Sequence, residues 1–162
     1  MVSVMTSYAG IKWDKLSFTS TLYLYPVIDT LLEIAPSQMR DELRLGLQEA
    51  LVNAAKHGNS LDPSKHISVQ YAKVHDTYWW IITDQGSGFE FPHGCRICSD
   101  GTDSENTDDC GRGLFILHQI FDQVHWSSKG NEVHLCKRFR RWPSWLTWWQ
   151  GKWAAKDTLA IG

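Results

Sequence analysis

The alternation of apolar and polar positions divides the chain into segments with different periods. "KWDKLSFTST" mixes β-branched and aromatic residues as a first strand does. "LYLYPVIDTLLEIAP" predicts a helix over about residues 27–35, with Pro26 near its start and Pro36 beyond its end. Ser37 then stands where a side-chain cap opens the next helix. Asp41 and Glu42 follow in early turns, where the helix dipole favours negative charge, and Gly58 with Asn59 closes the helix after about twenty residues. Leu43, Leu47, Ala50, Leu51 and Ala54 supply its apolar stripe. "HISVQYAKV" alternates as a strand, while "TYWWIIT" is a continuous apolar run suited to a strand covered on both faces. The short turn His75-Asp76 between them makes the two a hairpin.

After Asp84 the period is lost. Residues 84–113 are rich in Gly, Ser, Asp and Asn and read as one long loop, a length usually reserved for functional lids or disordered segments. From Gly113, "LFILHQIFDQV" places Leu114, Leu117, Phe121 and Val124 on one helical face, and "VHWSS", the turn Lys129-Gly130-Asn131 and "EVHLCKRF" form a second hairpin. No internal repeat is visible. The order of elements predicts an α+β two-layer sandwich in which a mixed, mostly antiparallel sheet is covered by helices on one face.

Composition narrows the picture only modestly. At 162 residues the chain suits one domain, able to bury about 70% of its unfolded surface. A net charge of −2 gives no basic surface for nucleic acid across the molecule. No stretch has the length of a membrane span, and the first residues lack the basic and apolar pattern of a secretion signal, so the cytoplasm is the expected compartment. The four cysteines, at 95, 98, 110 and 136, do not suggest a disulfide scaffold.

The candidate chemistry lies on one helix and two glycine loops. Glu49, Asn53 and His57 fall four residues apart and share a polar stripe beside the apolar one. Asp84 follows the strand "TYWWIIT" and opens "DQGSGF", with glycines at 86 and 88; later "GRGL" carries Gly111 and Gly113 into a helix. Glycines at such places let a backbone approach a ligand closely, and a helix N-terminus offers free N–H groups to phosphate. Neither the phosphate-binding loop G-x-x-x-x-G-K-[ST] nor the three-glycine dinucleotide fingerprint is present.

The three pieces together, "EALVN", then "DQGSGF" with Asp84 31 residues after Asn53, then "GRGLFIL" with Gly111 23 residues after Gly88, resemble the N-box and two glycine boxes of the GHKL (Bergerat-fold) ATPase superfamily. Within it, the chain is most similar to the anti-sigma factor serine/threonine kinases, over roughly residues 12–139. The resemblance implies a GHKL domain over 1–140 and a separate extension over 141–162. It implies ATP and Mg²⁺ as cofactors, with Asn53 the Mg²⁺ ligand and Glu49 the catalytic base. Asp84 would accept from the adenine amino group, with Gly86 and Gly88 giving the base room. Gly111, Arg112, Gly113 and Leu114 would hold the nucleotide, and residues 89–110 would be its lid. The implied partners are a STAS-domain anti-anti-sigma factor, phosphorylated on serine, and a sigma factor held in partner switching. Two other readings keep the ATP site: a nucleotide-gated binding module without transfer, and a detached histidine-kinase ATPase domain. Hard oxygen ligands suit Mg²⁺, and phosphoryl transfer needs positioning more than covalent chemistry, so so few reactive residues suffice.

Two features fall outside the resemblance. His93, Cys95, Cys98 and Cys110 gather in the lid, where free thiols, a thiol switch or a metal site are all open; the same stretch holds Asp100, Asp103, Glu105, Asp108 and Asp109, a charge that disfavours closure over a triphosphate. The tail "RWPSWLTWWQGKW" carries five of the nine tryptophans, with Trp142, Trp145, Trp149 and Trp153 at helical spacing. Packing back on the domain, a homodimer contact and a membrane surface are its three readings.

Overall fold

A computed structural model of the chain describes residues 11–88 and 112–139. Its elements run β1 (Asp14–Thr19), α1 (Tyr25–Leu32), α2 (Ser37–Asn53) leading without a break into a turn of π-helix (Ala54–Gly58), β2 (His66–Val74), β3 (Thr77–Thr83), α3 (Arg112–Ile120), β4 (Gln123–Trp126) and β5 (Glu132–Arg138). The five strands form one sheet in the order β1-β2-β3-β5-β4. All four neighbouring pairs are antiparallel, so among the described strands the sheet is antiparallel throughout.

Register explains which side chains meet the helices. Leu16, Val69, Ile82 and Val133 stand in one cross-strand row, and Tyr71, Trp80 and Leu135 in another. Both rows pack against the apolar stripes of the three helices, where Leu31, Leu43, Leu47, Leu51 and Leu117 are fully buried. Trp80 sits at the centre, its indole N–H donating to the Leu31 carbonyl at 3.3 Å and its ring meeting Phe121 edge-on at 5.9 Å. A large aromatic fills the space between layers while its polar atom stays satisfied. Gly46 of α2 faces the end of α3: a methyl there would lie 2.6 Å from the ring of Phe121, just past that helix, and 3.0 Å from Ile120. Lys137 ties the same corner, bonding the Ile120 carbonyl at the end of α3 and the Glu42 carboxylate of α2.

Several local expectations are corrected. Ser37 does not cap α2: Pro36, extended at φ −65° and ψ 148°, holds the N-cap position, and Ser37 is the first helical residue. The proline ring presets the entry, so no side-chain cap forms. β3 is not covered equally on both faces; Tyr78, Trp80 and Ile82 are buried while Thr77, Trp79, Ile81 and Thr83 are half-buried. Val124 does not continue the face of Leu114, Leu117 and Phe121, because α3 stops at Ile120 and Val124 lies in β4 opposite Leu135. Residues 89–111 and 140–162 lie outside the described residues, and with them the expected lid over 89–110 with its cysteines and the extension over 141–162.

Candidate functional site

The polar stripe of α2 comes up against the first turn of α3. A methyl placed on Gly113 would be 3.3 Å from Glu49 Oε2 and 3.4 and 3.8 Å from the two ends of the Asn53 amide. Glycine at 113 thus sets the first turn of α3 close beside the carboxylate and the amide, whose side-chain ends would have to shift slightly for any larger residue. A carboxylate, an amide oxygen and the first turn of a helix, whose N–H groups have no partner within the helix itself, thereby share one small volume. That donor set suits a phosphate chain with a hard divalent cation: the N–H groups take anionic oxygen, and the amide oxygen takes the metal.

The second half of the site is built by the end of α2 and the loop after β3. The helix ends in a π turn, its last ring closed by the Asn59 N–H donating to the Ala54 carbonyl at 2.8 Å. Such turns often occur at functional sites. Here it brings the Gly58 backbone against the loop: a methyl on Gly58 would lie 2.3 Å from Asp84 Cγ, and one on Gly86 would lie 2.1 Å from the Gly58 carbonyl oxygen. Gly88 has φ +81°, and a methyl there would overlap the Lys129 carbonyl in the β4–β5 turn. Asn59, fully buried, joins the pieces by accepting from the Gln85 N–H at 2.8 Å and donating to the His66 carbonyl at 3.1 Å.

Asp84 is the only buried acid among the described residues. Its Oδ1 accepts from the Gly86 N–H at 2.7 Å, and its backbone is held by Asn131 from both sides. Burial pushes its carboxyl above the usual range, against the Gly86 N–H and the positive charges of Lys129 and Lys65, which act to lower it.

Between the two halves lies a cleft of about 350 Å³, within the range of roughly 300–1,000 Å³ typical of small-molecule sites. The cleft brings together Asn53, Asp84, Gly88, Gly113 and Leu114 from the sequence-derived set. Gly86 supports Asp84 from behind, Glu49 stands beside Gly113, and Arg112 begins α3; Gly111 lies outside the described residues. His57 is exposed at the cleft rim. Trp126, Asn131 and Glu132 also line the cleft, and sequence reasoning missed all three together with Asn59. They sit in or beside a hairpin whose turn was legible as Lys129-Gly130-Asn131. Their arrival at the site depends on the β3–β5 pairing, for which no local signal exists.

Comparison with known proteins identifies a family for the chain. Residues 27–137 match the family described as the histidine kinase-like ATPase domain, and the chain belongs to that family. Among curated proteins it is similar to the serine-protein kinase RsbW of Bacillus velezensis (strain DSM 23117 / BGSC 10A6 / LMG 26770 / FZB42), 27% identical over 101 residues, covering 60% of this chain and 63% of that one. It is similar also to RsbW of Bacillus subtilis (strain 168), 25% identical over 87 residues, covering 52% and 54%. The chain thus spans between about half and under two thirds of these relatives' lengths. Among solved structures it is similar to a mycobacterial sensor histidine kinase, MprB, at 18% identity and a TM-score of 0.45, covering 81% of this chain and all of that one.

Proposed function

We propose that the chain is an ATP-dependent serine kinase of the anti-sigma type, which phosphorylates a serine on a STAS-domain anti-anti-sigma factor and holds a sigma factor in partner switching. One observation carries the reading: Glu49 and Asn53 converge on the first turn of α3, across a cleft from a buried acid flanked by close-packed glycines. Similarity to serine-protein kinases named RsbW supports the choice of serine as acceptor. No helix among the described residues is long and apolar enough to cross a membrane, which is compatible with a cytoplasmic site of action.

In this reading Asp84 accepts from the adenine amino group, with Gly86 and Gly88 keeping the floor thin enough for the flat base. Asn53 holds Mg²⁺, and Gly111, Arg112, Gly113 and Leu114 hold the phosphates. Bound magnesium would neutralise charge building on the transferred group. Glu49 orients the incoming serine hydroxyl and takes its proton as the serine oxygen bonds to the γ-phosphorus and the bond to ADP breaks. Purified protein, [γ-³²P]ATP and candidate STAS proteins test the proposal. Acid-stable phosphoserine is expected, and Glu49→Gln should keep nucleotide binding while transfer falls by about 10²-fold or more. Equal transfer by that variant removes Glu49 from the role. Tight ATP binding with no labelling of any STAS protein would leave a nucleotide-gated binding module, and an acid-labile product would point to histidine.

A further inference from the structure

Glycine stands at both ends of the contact between α2 and α3. At one end a methyl on Gly46 would lie 2.6 Å from Phe121 Cε2 and 3.0 Å from Ile120; at the other, a methyl on Gly113 would lie 3.3 Å from Glu49 Oε2 and 3.4 Å from the Asn53 amide. Gly46 and Asn53 are seven residues apart on α2, and Gly113 and Ile120 are seven apart on α3. The two helices therefore run antiparallel along a seam of two turns, ~10 Å long. Each end of the seam lacks one side chain, on opposite partners, so that the backbone of one helix meets the side chains of the other directly.

The Gly46 end is held shut. Phe121 is carried by the last turn of α3, its N–H bonding the Leu117 carbonyl at 2.9 Å, and its ring, buried, lies edge-on to the fully buried Trp80. That ring has no room to swing aside, so any bulk at position 46 has to be taken up in the spacing of the two helices. Lys137 of β5 closes the same end from outside. Its ammonium donates to the Ile120 carbonyl at the end of α3 and, at 2.7 Å, to Glu42 of α2, one turn before Gly46. The Lys137 side chain is only 17% exposed, so salt screens its ion pair less than it would a pair on the open surface.

We infer that Gly46 and Lys137 are positioning residues for the phosphate end of the cleft: by fixing the spacing of α2 and α3 at the far end of the seam, they set how closely the first turn of α3 approaches Asn53 and Glu49. The inference rests on the reading of the cleft as a nucleotide site and is independent of the transfer step. A contact of two turns between short helices is stiff, and a wedge at one end changes the spacing at the other. The ligand concerned is the phosphate chain with its magnesium. The base end is built from other elements, since Asp84 is held by Gly86 of the loop after β3 and by Asn131 of the β4–β5 turn. Disturbing the seam should therefore weaken the grip on phosphate and spare the base.

Adenosine reads the base end alone and Mg·ATP reads both ends, so titrating each against the same full-length variants separates the two. In Gly46→Ala and in Lys137→Met, the Mg·ATP dissociation constant is expected to rise at least ten-fold while that for adenosine stays within two-fold. Adding Phe121→Leu to Gly46→Ala removes the ring atoms that the methyl meets. That double variant should regain most of the Mg·ATP affinity although its melting temperature falls further, because a core ring has been cut down. Lys137→Met adds no bulk to the core and carries the comparison by itself if Gly46→Ala does not fold. Equal losses for adenosine and Mg·ATP, no loss in Lys137→Met, or an affinity that simply follows melting temperature through the series overturns the inference alone. No binding of Mg·ATP by the unaltered chain brings down the nucleotide reading as well.

Discussion

Asp84 joins stability and, in the proposed function, recognition of the base in one side chain. Burial raises its carboxyl above the usual range, so the folded state favours the protonated form. The sign follows: stability is greatest below the unfolded value and falls as pH rises through the folded one, so at neutral pH the free domain bears the full cost of an ionised, buried carboxylate. Asp84→Asn keeps an oxygen for the Gly86 N–H and removes that charge. Thermal melts of the free protein between pH 4 and 8 are expected to show the variant more stable, with the gap widening as pH rises. Titration calorimetry is expected to show at least a ten-fold loss of ATP affinity, because the new amide can present a donor to the adenine amino group. Higher stability with unchanged affinity would remove Asp84 from base recognition.

At the scale of elements, the π turn, the loop after β3 and the β4–β5 turn fit together through backbone contact that only glycine permits. Gly86→Ala forces a methyl into the Gly58 carbonyl, and neither partner is a flexible side-chain end that could move aside. Denaturant titration is expected to show a loss of about 1–3 kcal/mol, as for overpacking elsewhere, with weaker nucleotide binding. Asn59→Ala tests the same junction by subtraction. It leaves the Gln85 N–H and the His66 carbonyl without their buried partner, an expected cost of about 1–3 kcal/mol. Loss of stability in Asn59→Ala with full nucleotide affinity would show that the latch supports the fold but not the position of Asp84.

For the whole molecule, the two halves of the cleft come from distant parts of the chain, so a ligand that spans them should stabilise the domain by mass action. At a hundred times the dissociation constant, Mg·ATP should add about 2.7 kcal/mol, a rise in melting temperature of roughly 5–10 °C for a domain of this size. Glu49→Gln should keep that rise, because in the proposed function the carboxylate acts on the acceptor hydroxyl and not on the nucleotide. Asn53→Ala should reduce the part of the rise that depends on magnesium, read by repeating the melts with EDTA. An equal rise with and without the metal would take Asn53 out of metal binding.

Much of this protein was written in its local pattern. The boundaries of β2 and β3 follow from the alternation of "HISVQYAKV" and the turn His75-Asp76, and the stripe of Leu43, Leu47, Ala50 and Leu51 sets the buried face of α2, because side-chain periodicity is a property of the backbone alone. The approach of Glu49 and Asn53 to a helix start was legible only through resemblance to a family. Other features were decided by tertiary contact. The sequence could not show that α2 would end in a π turn, that Asn59 would be a fully buried latch, or that β5 would pair with β3 and bring Asn131 and Glu132 to the cleft. Each joins residues far apart along the chain, and a window of neighbouring residues carries no information about which distant backbone will supply the partner for a polar group that folding removes from water.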